Sequence, residues 1–175
     1  MRSHPSMRTD ALLWLLLLFL AAAAAYDDRG AFNPDVRQET IGETICAPGY
    51  TKAVRPSTNF THGVKQILLK RAGRDRAQAF EYELAHIVPV GLGGHPRKLE
   101  NIELLLRSGE GGVKRKDRLE AKLQCMVCSG QVTLADAQRE VLTDWQAAYH
   151  RNALVKCPLE RAMDDQSRSR RHWPG

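Results

Sequence analysis

Beyond residue 25 the sequence has no apolar run approaching the ~20 residues that cross a bilayer as a helix, so the rest of the chain is expected to be soluble, without stable membrane association. It has no internal repeat, which excludes a stacked-repeat architecture. Acidic residues are in the minority, 20 against 26 Lys and Arg, giving a net charge of +6. A basic surface attracts polyanions such as nucleic acid or anionic envelope polymers, but charge alone does not choose between them. Cysteine is sparse, with Cys46, Cys125, Cys128 and Cys157 only. The C-x-x-C of Cys125 and Cys128 has no second half, so zinc is the runner-up, behind the disulfides that an even number of exported cysteines suggests.

What is present begins with an export signal. Arg2 and Arg8 precede an uncharged apolar run, Ala11 to Ala25, which at ~15 residues is too short to span and ends in small residues with an A-x-A site at Ala23 and Ala25. The alternative is an uncleaved signal anchor, since Ala-rich stretches can stay in the membrane; cleavage after Ala25 would remove Arg2, Arg8 and Asp10, leaving 24 basic and 19 acidic residues and a net charge of +5. The mature chain of about 150 residues is enough for one hydrophobic core. The expected destination is the periplasm or the medium.

The pattern along the mature chain predicts an α+β domain over residues 44–157. A flexible lead-in over 26–43 precedes it, and a disordered tail over 158–175, charged and turn-rich from Asp164, follows. Thr44 to Pro56, β-branched but interrupted by Pro48 and Gly49, suggests short extended pieces around a turn. Thr61 is placed to cap a helix carrying Val64, Ile67, Leu68 and Arg71 and stopping near Gly73. From Phe80 to Val90 the period is two: Phe80, Tyr82 and Leu84 fall on one face, Glu81, Glu83 and Ala85 on the other. A Gly-rich loop and the apolar run at Ile102 and Leu104 to Leu106 follow. A helix is expected from Lys114 to Gly130 with Leu119, Leu123, Met126 and Val127 on its apolar side. A last one begins at a Thr133/Asp136 capping box and runs to about Arg151 with a stripe of Leu134, Ala137, Val141, Trp145, Ala148 and Tyr149. Trp145 and Tyr149 suit that core stripe better than a base-stacking surface.

The segment Tyr82 to Ile102 concentrates the chemistry. His86 ends a strand, a Pro and Gly-Gly loop follows, and Asn101 comes 15 residues later. Phosphodiester cleavage calls for such parts: a base to activate water, a cation to offset phosphate charge, and a rigid support for the base. Glu83-Leu-Ala-His86-Ile-Val-Pro89, with Leu92-Gly-Gly94 and Asn101-Ile102, resembles the ββα-metal motif of the His-Asn-His (HNH) nucleases. The likeness extends to small, exported bacterial members through Cys46 to Pro56 (CAPGYTKAVRP), Lys116 to Glu120 (KDRLE), Val127 to Gly130 (VCSG), Ala135 to Gln138 (ADAQ) and Asp144-Trp145, about 110 residues in order.

The resemblance implies a ββα motif with additional helices closed by the C-terminal amphipathic helix. It further implies hydrolysis of nucleic-acid phosphodiesters with a divalent metal ion such as magnesium. His86 matches the general base and Asn101 the residue that shapes the metal loop. Glu83 stands where members often carry an acid near the metal, and Lys114, Lys116 and Arg118 match phosphate contacts. Cys46 and Cys128 fall inside two family-like blocks, which pairs them and leaves Cys125 for Cys157. His95, in the loop, is expected to be solvated. Two positions depart from the pattern. Ala85 replaces the Asp that binds the metal directly, and the later ligand position falls near Gly112 or Val113. The departures imply weak or lost cleavage. The alternative is a catalytically inactive module of the same fold that binds nucleic acid or an envelope component.

Overall fold

A computed structural model describes residues 31–158; the expected signal and the tail from residue 159 lie outside them. The described chain combines helices with one antiparallel pair of strands, an α+β arrangement. In order come α1 (Tyr50–Ala53), α2 (Thr58–Arg71), β1 (Tyr82–His86), β2 (Ile102–Leu106), α3 (Val113–Cys128) and α4 (Leu134–Asn152), with short 3₁₀ turns between. Ala85 faces Glu103 across the strands and His86 faces Ile102.

The core lies between α3 and α4, where the apolar stripes read from the sequence meet. Leu119, Leu123, Met126 and Val127 of α3 pack with Leu134, Ala137, Val141 and Ala148 of α4, and Trp145 and Tyr149 pack against that cluster from its edge. Thr133 caps α4 by accepting a hydrogen bond from the Asp136 amide at 3.1 Å. Asp144 interrupts α4 with extended dihedrals, and its carboxylate accepts from the Ala147 amide at 2.9 Å, capping the second half. Two disulfides, Cys46–Cys128 and Cys125–Cys157, anchor the end of α3 to the preceding turns and to the segment after α4. No described cysteine is free, so the zinc alternative has no ligands.

Four local expectations change. Residues 31–43 are not a flexible lead-in: Ala31 and Val36 are buried, the His95 amide donates to the Ala31 carbonyl at 2.7 Å, and Gln38 accepts from the Leu134 amide at 2.7 Å. Thr44 to Pro56 forms no strand. Successive turns, such as Ala47 N–H to Thr44 O at 2.8 Å, wrap it around α3, and Gly49 at φ +84° opens the single turn α1. Helix α2 starts a turn earlier than Thr61, because Ser57 accepts from the Phe60 amide at 3.4 Å and takes the cap first. The strand is shorter than Phe80 to Val90: Phe80 belongs to a 3₁₀ turn and is 71% exposed, and the loop after His86 leaves the ladder.

Candidate active site

The loop between the strands is tied together from inside by Asn101, while Gln138 of α4 donates to the Leu92 carbonyl at 2.8 Å. Asn101 is fully buried; its Oδ1 accepts from the Val88 amide at 2.8 Å, while its Nδ2 donates to the Val88 and His95 carbonyls, each at 3.0 Å. These bonds fold residues 87–95 back over β2 and bring Pro96 beside His86. Gly94 is required there, since a Cβ on it would stand 1.8 Å from the Val88 oxygen. His95 is not simply solvated: it is half-buried, and its Nδ1 accepts from the amides of Arg97 at 3.1 Å and Lys98 at 3.2 Å.

His86 Nε2 lies 3.0 Å from the Pro96 carbonyl oxygen. A carbonyl only accepts, so in the neutral ring Nε2 carries the proton and Nδ1 holds the lone pair. Burial lowers the His86 pKa from its ordinary value; the Pro96 carbonyl opposes this, and the charges of Lys116, Arg55 and His95 reinforce it. The result is a neutral imidazole near physiological pH with one nitrogen free to take a proton. That is the state a general base needs.

Beneath the strand end sits Lys116, 1% exposed. Its ammonium donates to the carbonyls of His86 and Ile87, the latter at 3.2 Å, and pairs with the Glu103 carboxylate at 2.5 Å. The phosphate contact expected of Lys116 is therefore not available to it: the side chain is committed inside the protein, where only paired charge is tolerated. Lys114 and Arg118, on the same helix, are exposed.

His86 opens on a cleft of ≈ 330 Å³ lined also by Thr51, Arg55, Pro56, Val90, Gly91, Asp117, Glu120, Ala121 and Gln124. Arg55 comes from the turn after α1; Asp117 and Glu120 stand one helical turn apart on α3. Glu120 retains some exposure, yet desolvation pushes its pKa up to about 7, with Asp117 and Glu103 adding to the rise and Lys116 opposing it. Asp117, more open to solvent, is raised chiefly by desolvation and by Glu83, against Lys116 and Arg55. Sequence reasoning missed Arg55, Asp117 and Glu120 as site residues. A signal existed: positions 117, 120, 121 and 124 share one face of a helix. Arg55 also lay within one of the matched blocks.

The donor set does not fit the divalent ion that the resemblance implies. Ala85 offers a methyl group and is buried. Glu103, opposite it, is neutralised by Lys116, and Glu83 pairs with Arg107 at 3.3 Å. Gly112 and Val113, at the start of α3, bring no ligating side chain. Among the described residues no three His, Cys, Asp or Glu side chains converge closely enough to hold a cation. Hard cations need several oxygen ligands to displace their hydration shell.

Compared with protein-family models, with curated proteins and with solved structures, the chain matches none.

Proposed function

We propose that the His86 cleft hydrolyses phosphodiester bonds of nucleic acid in an exported protein. The observation that carries this reading is the 3.0 Å contact of His86 Nε2 with the Pro96 carbonyl, which leaves Nδ1 as the proton acceptor on a residue lining the same cleft as Arg55. Water bound between Nδ1 and a phosphate gives its proton to the imidazole as its oxygen attacks phosphorus. The Arg55 guanidinium faces the charge that develops on the phosphate oxygens. Asn101 and Lys116 hold the loop and the strand end so that the base does not drift. The order strand, loop, strand, helix and the placement of Asn101 support the His-Asn-His nuclease-like reading of the fold. Two disulfides favour an oxidising compartment, and no described helix is long and apolar enough to cross a membrane.

Exposed Lys114 and Arg118 on the helix that bears Asp117 and Glu120 favour a second reading, in which the same face binds nucleic acid without cutting it. Plasmid nicking separates the two. Cleavage by the purified protein that disappears in His86→Ala supports hydrolysis; salt-sensitive retention of DNA by both proteins, with no nicking by either, supports the binding module.

A further inference from the structure

We infer that Glu120 is the general acid of a metal-independent reaction, donating its proton to the leaving oxygen while His86 accepts the proton of the attacking water. This rests on the phosphodiesterase reading above and deepens it. Three observations lead to it. First, His86, Arg55 and the two carboxyl groups of Asp117 and Glu120 line one cleft, with no convergent metal ligands among the described residues. The work that a metal does on the leaving group must then come from a proton donor. Second, Glu120 makes no hydrogen bond or ion pair among the described residues, although a cation is near: the ammonium of Lys116, one turn away on the same helix, is spent on Glu103 and two backbone carbonyls. Third, the groups that surround Glu120 favour its protonated form. Desolvation dominates; the ammonium of Lys116 opposes it, while Asp117 on α3 and Glu103 on β2 add to the rise.

The two pKa shifts run in the useful direction. His86 is lowered below 6.5 and Glu120 is raised to about 7, so between them the base is unprotonated and the acid protonated in most molecules. The charged groups bearing on His86 are Lys116, Arg55 and His95, all cationic or potentially so, and none favours imidazolium. In the step itself, the water oxygen bonds to phosphorus as its proton passes to His86 Nδ1. The phosphorus–oxygen bond to the leaving nucleoside breaks, and the Glu120 proton makes that oxygen an alcohol. Afterwards the imidazolium loses its proton and the Glu120 carboxylate regains one, through solvent, so the enzyme returns to its starting state without any co-reactant.

Leaving-group dependence tests the assignment. Cleavage of an oligonucleotide and of bis(p-nitrophenyl) phosphate is measured in EDTA for the wild type, Glu120→Gln and His86→Ala, with folding checked by circular dichroism. The alkoxide of a nucleotide needs a proton and p-nitrophenolate does not. Glu120→Gln is therefore expected to lose about 10²-fold or more on the oligonucleotide and little on the nitrophenyl ester, and its pH–rate profile to lose the alkaline limb. His86→Ala is expected to fail on both substrates. Equal losses of Glu120→Gln on the two substrates, or none, overturn the acid role while leaving the hydrolase reading intact. Wild-type activity that appears only when magnesium or manganese is added overturns the metal-independent step. Activity under neither condition, or activity undiminished in His86→Ala, overturns the underlying reading as well.

Discussion

Asn101 and Val88 exchange two hydrogen bonds: the amide of Val88 donates to Asn101 Oδ1 at 2.8 Å, and Asn101 Nδ2 donates back to the Val88 carbonyl at 3.0 Å. A side chain thus imitates a strand partner for a residue outside the ladder, and the loop carrying Pro96 is fixed relative to His86. Asn101→Ala leaves these buried backbone groups unpaired and is expected to cost about 2–4 kcal/mol in urea denaturation. Asn101→Asp should be at least as damaging, since a carboxylate replaces a donor facing two carbonyl oxygens. Gly94→Ala should disrupt the same loop by steric overlap with the Val88 oxygen. In any of these three variants, loss of cleavage beyond the loss of folded protein would report the displacement of Pro96 from His86.

Lys116 is the second anchor. Lys116→Met removes the ammonium and strands the Glu103 carboxylate, a loss expected to reach about 3–5 kcal/mol. Pairing it with Glu103→Leu should return a large part of that stability, because the unpaired charge goes too. A double variant no more stable than Lys116→Met would show that the carbonyls of His86 and Ile87, rather than the ion pair, hold this lysine in place.

Which of these features could be read from the chain follows from how local their causes are. The Thr133 cap and the stripe on α4 arise from residues within a few turns of each other, and both stand in the structure. Ser57 and Thr61 are equally good caps four residues apart, and local sequence does not say which amide is reached first; Ser57 is. The fate of Lys116 was hidden for a different reason. Its partners are Glu103 and two carbonyls at the end of β1, so only the packing of α3 on the strands distinguishes it from exposed Lys114 and Arg118. Arg55, Asp117 and Glu120 likewise become one cleft only after Cys46–Cys128 fastens the first turns against α3. Residues 31–43 look featureless alone, yet they are ordered by partners far along the chain, Gly93, His95 and Leu134.

Stability should fall as pH rises from about 4.5 to about 7. Glu120 titrates near 4.5 in an unfolded chain and near 7 when folded, so within this window the native state holds the extra proton and loses its advantage as that proton leaves. The contribution is at most on the order of 3 kcal/mol. Raised Asp117 adds a decline of the same sign beginning above 3.8, whereas lowered His86 opposes it below 6.5, because there the unfolded chain binds more protons. Thermal melts from pH 4 to pH 8 should show the decline in wild type and a flatter profile in Glu120→Gln. Identical slopes would place the Glu120 pKa near its ordinary value.

The two disulfides close loops of different length, 82 and 32 residues. In the chain-entropy description the first restricts the unfolded state by about 4.5 kcal/mol and the second by about 3.7 kcal/mol. The Cys46→Ser/Cys128→Ser pair is therefore expected to lower the denaturation midpoint more than Cys125→Ser/Cys157→Ser. It should also be the pair that impairs cleavage, since the segment it fastens leads directly to Arg55. The reverse order would assign the stabilising role to the segment after α4.

Chemical rescue of His86→Ala tests the general base most directly. If the imidazole of His86 takes the proton of the attacking water, cleavage lost in the variant should return in proportion to added free imidazole, which can enter the space left by the ring, and should do so only at pH values where imidazole is neutral. Cleavage by the variant at the wild-type rate without imidazole, or wild-type cleavage that vanishes in the variant and is indifferent to imidazole at every pH, would contradict the account.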